Sequence, residues 1–320
     1  MYLSRPYHFL GTQARADVLA QVKDNPEAIQ RLADSKVECY NAISGDFGTL
    51  TERVLSELMS EEALTPQDVS AILYTRVCEA NSEGLDRSVD EALANLELVS
   101  TPLIQMGGGQ CANGALLLMQ AEALLAKDPE STILIVEANI VPDTQDRNYL
   151  DNTVILSDGV VAYTVSKKQN AYKVLATSIE FDHKVRGLQY SGNPAGAIIA
   201  FKKTQQLLVR CMESITDKTQ RTMADFVKVF TSNTLNTVEQ IRESFGLQES
   251  KIYAGNIPKH GHFFGAELFY NFAEFDQSGE WAKDDTGDRV KRPRPEQDAD
   301  LVRTERQFPK RLVVAGQPWG

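Results

Sequence analysis

Met106-Gly107-Gly108-Gly109-Gln110-Cys111-Ala112-Asn113-Gly114 runs directly into Ala115-Leu116-Leu117-Leu118-Met119-Gln120-Ala121. Residues 99–106 ahead of it predict a strand, and 112–126 behind it predict a helix with Glu122 as its only charge before Lys127. Three glycines between them allow positive φ and close backbone approach. A cysteine at a helix start meets free N–H groups and the positive end of the helix dipole, and both favour the thiolate. The stretch therefore predicts one reactive thiol, Cys111, on a sharp strand-to-helix turn, suited to attack on an acyl thioester.

Working outward, the pattern is one of alternating strands and helices. The helix over 112–126 is apolar almost all round, which predicts burial, and Asp128-Pro129 ends it. Residues 132–138 form a continuous apolar run that predicts a strand buried on both faces. Residues 153–165 read as two strands around the Asp158-Gly159 turn. Upstream, 69–75 predicts a buried strand and 86–96 a helix. Leu50, Val54, Leu55 and Leu58 share one face of a helix opening near Thr49. Residues 15–35 read as helical with an interruption at Asn25-Pro26.

Lys167-Lys168-Gln169-Asn170 is the best candidate boundary, dividing the chain into residues 1–166 and 167–320. Beyond it, strands are expected over 174–181, 226–231 and 311–315, and helices over 198–215, 234–245 and 263–275, with Gly246 closing the second helix. Residues 276–310 are dense in charge and read as a solvated excursion. The alternation predicts an α/β class with largely parallel sheets covered by helices.

Composition narrows the function. A net charge of −11 over 320 residues argues against nucleic acid as the main partner. Four cysteines (Cys39, Cys78, Cys111, Cys211) are too sparse for a disulfide framework and read as reduced thiols of a cytoplasmic protein. No run of 18 apolar residues and no leader pattern stands out, so no membrane association is expected. The cysteine and histidine spacings form no metal set, and Gly107-Gly108-Gly109 lacks the Gly-Lys-Ser/Thr ending of a phosphate loop.

Four segments carry a family resemblance. They are Gln110-Cys111-Ala112-Asn113-Gly114, then Ile155-Leu156-Ser157-Asp158-Gly159-Val160-Val161-Ala162, then Asn256-Ile257-Pro258-Lys259-His260-Gly261-His262, and the terminal Gly316-Gln317-Pro318-Trp319-Gly320. In this order, over roughly residues 45–320, the chain resembles the 3-oxoacyl-ACP synthase III (ketosynthase III) group of the thiolase superfamily. The resemblance implies a thiolase-like fold of two related α/β halves in a layered α-β-α-β-α sandwich. The first half would carry the nucleophile, the second the Asn and His loops. It also implies a homodimer, a cysteine acyl-enzyme, and an oxyanion hole from the backbone N–H groups of Cys111 and Ala315.

The departures matter as much. The family's histidine sits in a Pro-His-Gln-Ala-Asn segment, and here that segment is Val229-Phe230-Thr231-Ser232-Asn233-Thr234-Leu235-Asn236. Ungapped comparison puts Thr231 at the histidine position, and a two-residue shift puts Asn233 there. The family's asparagine falls on His262. The resemblance thus yields a rearranged set of Cys111, His262 and Asn233. No tightly bound cofactor is implied. The substrates would be acyl-ACP or acyl-CoA thioesters, and the unmatched N-terminal segment favours an acyl carrier protein as donor. Decarboxylative condensation with a malonyl thioester is the first choice. Transfer to an alcohol or amine is the alternative, and a non-catalytic partner of an active synthase is a third.

Blander readings stand beside these. Cys111 is readable as a small buried hydrophobe, His262 and His260 as structural histidines, and Asn233 as a helix cap. His183 reads as a surface residue. A basic face for an acidic carrier protein is sought at Lys202-Lys203 or residues 291–294, though charge runs are usually only solvated.

Overall fold

The computed structural model describes residues 1–76, 82–142, 146–150, 152–189, 194–280 and 310–316. Short strands β1 (Tyr2–Leu3), β2 (Tyr7–Phe9) and β3 (Thr12–Arg15) open the chain. The helix expected over 15–35 is shorter. Only α1 (Pro26–Asp34) forms there as α-helix, and the Asn25 side chain caps it by accepting the Ala28 N–H. Pro26 starts that helix rather than interrupting one, because its missing N–H costs nothing in the first turn. Next, β4 (Cys39–Ala42) pairs with β3. Then α2 (Phe47–Glu61), capped by Asp46, buries Leu50, Val54, Leu55 and Leu58 as the periodicity predicts.

β5 (Val69–Arg76), α3 (Ser82–Asn95) and β6 (Leu103–Met106) follow. β6 is shorter than predicted, since Val99 lies 75% exposed ahead of it. α4 (Asn113–Lys127) is buried along one side but exposes Met119 and Glu122, so it is a covering helix and not one enclosed all round. β7 (Thr132–Asn139) is buried at every residue. The hairpin expected around Asp158-Gly159 does not form. Instead β8 (Asn148–Tyr149) pairs with β9 (Val154–Ile155), and β10 (Gly159–Ser166) pairs with β7.

The remaining chain gives β11 (Tyr172–Ile179), α5 (His183–Gln189), α6 (Pro194–Thr219), β12 (Val229–Phe230), α7 (Leu235–Phe245), β13 (Ile252–Tyr253), α8 (Ile257–His260), α9 (Ala266–Gln277) and β14 (Lys310–Gly316). Gly246, at φ +61°, caps α7 in the left-handed conformation as predicted. Residues 281–309, Gln317 to Gly320, Cys78 and the basic stretch 291–294 lie outside the described residues.

The class is α/β. The main sheet is mixed, in the order β14-β11-β1-β10-β7-β5-β6, with β2 also on β10. β5, β6 and β7 are parallel, β10 runs antiparallel to β7, and β11 is parallel to β14. β1 pairs with both β10 and β11, so the sheet continues past the 167–170 link. One core lies between the sheet and α4 and α9, through Leu117, Leu118, Ile135, Tyr163, Phe269 and Phe272. A second lies against α2 and α3, through Leu50, Leu58, Ile72 and Val136. This architecture places the carboxyl ends of β5, β6 and β7 beside the start of α4, where open parallel sheets present ligand sites. No helix among the described residues is long and apolar enough to cross a membrane.

Candidate active site

The turn after β6 tightens into one 3-10 turn, Gln110–Ala112, before α4 begins. Gln110 takes φ +50°, a conformation unusual for a residue with a side chain. The Asn113 side chain accepts the Gly109 N–H at 2.9 Å and donates to Thr75 Oγ1 at 2.7 Å, which ties the turn to the end of β5. Cys111 is 2% exposed and packs among Val141, Leu156 and Phe264, with half-buried Tyr149 at the edge.

His262 reaches this thiol because its backbone is pinned. Its N–H donates to the Ile155 carbonyl at 2.9 Å, and its carbonyl accepts the Ser157 N–H at 2.8 Å. Gly261 makes this approach possible. It sits at φ +61°, and a Cβ there would lie 2.7 Å from the Ile155 oxygen. The result places His262 Nε2 3.5 Å from Cys111 Sγ. On the other side of the ring, Nδ1 donates to Glu267 Oε1 at 2.8 Å. Glu267, in the first turn of α9, also accepts the Asn233 N–H at 2.9 Å and the Phe263 N–H at 3.0 Å. His262 and Glu267 are both fully buried.

The electrostatics follow from this enclosure. Burial works against charge on His262, but the Glu267 carboxylate and then the Cys111 sulfur outweigh it and push the imidazole up to about 10. Burial pushes the Cys111 thiol up, while His262 and a hydrogen bond from Ser232 pull the other way. A carboxylate, an imidazole and a thiol in line have the chemistry to serve as a group that orients a base, the base and a nucleophile. The imidazolium can give its proton to a leaving group and afterwards take one from an attacking group.

The other sequence candidates fall around this line. Asn233 is buried beside it, but its side chain bonds elsewhere. Nδ2 donates to the Gly261 carbonyl at 3.0 Å, and Oδ1 accepts from Asn271 Nδ2 at 2.9 Å. The Asn233 amide thus holds the histidine's loop, and Thr234 is the cap of α7. Thr231 is buried, its hydroxyl donating to the Ser232 carbonyl. Ala315 lies on β14 opposite Ser178, and β14 packs against the 3-10 turn that carries Cys111. His260 turns away. Its Nδ1 donates to Asn41 Oδ1 and its Nε2 accepts from the Tyr270 hydroxyl, both at 3.0 Å, and burial pushes it down to about 4. His183 is exposed.

The Asp158 segment supports the site from behind. Its fully buried carboxylate accepts N–H bonds from Ile43 and Val141 and pairs with Arg147 at 2.9 Å. Val141 is thereby fixed beside Cys111.

Two residues near the thiol escaped the sequence reading. Glu267 carried a usable signal, since it is the single acid in the apolar run 263–273 and such a residue needs a buried partner. Ser232 carried none.

The sequence matches no protein-family model and no curated protein. Its structure is similar to solved ones. The acyltransferase ChlB3 superposes with a TM-score of 0.73 at 16% identity, over 87% of this chain and 90% of that one. The 3-oxoacyl-[acyl-carrier-protein] synthase III of Aquifex aeolicus gives 0.69 at 12% identity, over 87% and 91%. The chain has the thiolase fold of the ketosynthase III enzymes. A bacterial type III polyketide synthase from Streptomyces coelicolor shares the same thiolase fold, at 0.62 and 12% identity over 87% and 92%.

Proposed function

We propose that the protein is an acyl-thioester transferase that carries the acyl group on Cys111. The observation behind this reading is the line Cys111 Sγ, His262, Glu267, closed at 3.5 and 2.8 Å in a buried site. Cys111 sulfur attacks the thioester carbonyl. The family resemblance supports the N–H groups of Cys111 and Ala315 as the oxyanion donors. Collapse breaks the bond to the donor thiol, which takes the proton from the His262 imidazolium. Acylation also removes the sulfur charge that helped hold that proton. The now neutral imidazole, oriented by Glu267, takes a proton from an alcohol or amine as that group attacks. The acyl bond to sulfur then breaks, and the thiolate and imidazolium are restored.

The acceptor is read as oxygen or nitrogen because one imidazole suffices there, and because the Asn233 amide is engaged with Gly261 and Asn271. Condensation with a malonyl thioester is the second reading, supported by likeness to synthase III and polyketide synthase structures. It needs a second donor to an enolate besides His262, and the Asn233 amide, with one N–H given to Gly261 and its oxygen to Asn271, has only its other N–H to offer. In this reading the donor is an acyl carrier protein and the enzyme a cytoplasmic homodimer.

The test preloads the protein from a hexanoyl carrier-protein thioester. It then follows loss of the acyl mass with a set of alcohols and amines, and separately with malonyl thioester. Loss to an alcohol or amine without CO₂ is expected. CO₂ released in step with acyl loss replaces this reading with condensation.

A further inference from the structure

Glu137 is the one acid of β7, a strand buried along its whole length, and is 1% exposed. Its Oε1 accepts from the Tyr163 hydroxyl at 3.0 Å, and its Oε2 has no hydrogen-bond partner among the described residues. The carboxyl lies between the first turns of two helices. A Cβ on Gly114, in the first turn of α4, would fall 3.0 and 3.1 Å from its two oxygens. A Cβ on Gly265, the residue before α9, would fall 2.8 Å from Oε2 and 3.5 Å from the Cys111 carbonyl. The turn that carries Cys111 and the loop that carries His262 and leads into α9 thus both close on this one side chain. The absence of side chains at 114 and 265 leaves the room it occupies.

We propose that Glu137 is a positioning residue that joins the nucleophile turn to the histidine loop, and that it does so as a neutral carboxylic acid. The neutrality follows from the bonding. Protonated, the group leaves one hydroxyl without an acceptor. Ionised, it leaves a buried charge with a single neutral donor, which costs far more. Burial pushes this carboxyl up to about 8, with the Tyr163 bond opposing the shift. The titratable groups around it are few. β10 contributes Tyr163, β5 opposes it with Thr75, the first turn of α4 holds no acid, and beyond these helix starts stand Cys111, Glu267 and His262. As pH rises past about 8, ionisation of Glu137 adds negative charge behind the nucleophile turn and disfavours the Cys111 thiolate.

The inference bears on the reactivity of the thiol in the transferase reading, yet its test needs no acyl donor. The rate of Cys111 alkylation by iodoacetamide is measured by peptide mass spectrometry across pH, for the wild type, Glu137→Gln and Tyr163→Phe. Glutamine keeps the shape and cannot ionise. Its rate relative to the wild type is expected to climb by about threefold or more between roughly pH 7 and pH 9.5, as half a unit in the thiol pKa implies. Tyr163→Phe removes the bond that favours the carboxylate, so the break in its profile is expected at higher pH than in the wild type. A Gln-to-wild-type ratio that is already about threefold or more at pH 7 and flat above it marks a carboxylate ionised throughout and overturns the proposal, as does a break that Tyr163→Phe leaves in place. If Glu137→Gln does not fold, the Tyr163→Phe profile decides alone. Failure of the transferase reading shows instead as normal alkylation without any acyl adduct.

Discussion

Replacing Glu267 by Gln tests the line of groups at its far end. The carboxylate accepts from His262 Nδ1, the Asn233 N–H and the Phe263 N–H at 2.8, 2.9 and 3.0 Å. Glutamine fits the same space, and its carbonyl can keep the two bonds at Oε1. Its NH₂ must then face the Phe263 N–H, donor against donor. An unsatisfied buried donor costs roughly 1–3 kcal/mol, and loss of charge assistance adds about 1 kcal/mol. Urea unfolding should therefore report a stability lower by about 2–4 kcal/mol. The chemical effect is separate. Glu267 is the largest influence raising the His262 pKa, so its loss lets the imidazole fall from about 10 toward its ordinary range. At neutral pH the thiol then loses its cationic partner. Alkylation of Cys111 by iodoacetamide should slow by roughly tenfold or more, one factor of ten per pKa unit, and its pH profile should break at higher pH, where the thiol without its cationic partner ionises. A variant that folds and alkylates at the wild-type rate with the wild-type profile refutes the assigned role of Glu267.

Three further outcomes follow. Gly114→Ala puts a methyl 2.7 Å from Phe269 Cε2 and against the Glu137 carboxyl, so thermal unfolding should show a loss of about 1–3 kcal/mol together with slower Cys111 alkylation. Asp158→Asn breaks the buried pair with Arg147 and turns an NH₂ toward a backbone N–H, and should cost about 3–5 kcal/mol in urea unfolding. His260 is held at about 4 when folded, so the unfolded chain binds more protons as pH falls below the ordinary histidine range. The stability its burial contributes is present above about pH 6.5 and is lost as pH falls toward 4, and replacing His260 by Gln should flatten that acid limb.

The fold was legible where burial imposes a period. The α2 face, the α7 cap at Gly246 and the strand at β7 all follow from spacing and turn chemistry. It was not legible where a polar side chain overrides a local signal. Asp158-Gly159 carries hairpin chemistry, but the carboxylate is drawn inward by Arg147 and two backbone N–H groups, and the strands on either side find other partners. In the site, the turn around Cys111 is written in contiguous residues and could be read directly. His262 could be reached only through a family resemblance, because its approach depends on backbone bonds to Ile155 and Ser157 more than a hundred positions earlier. Glu267 and Glu137 share one lesson. Each is a lone acid in an apolar run, and each is buried against a partner that lies elsewhere in the sequence.

The central claim is that Cys111 accepts an acyl group in a site completed by His262 and Glu267. Intact-protein mass spectrometry after incubation with an acyl carrier-protein thioester measures this directly. The account predicts a single added acyl mass that maps to the Cys111 peptide, vanishes in Cys111→Ala and turns over slowly in His262→Ala. A folded protein that takes up no acyl group from any carrier-protein or coenzyme A thioester, or that carries it on another residue, contradicts the account.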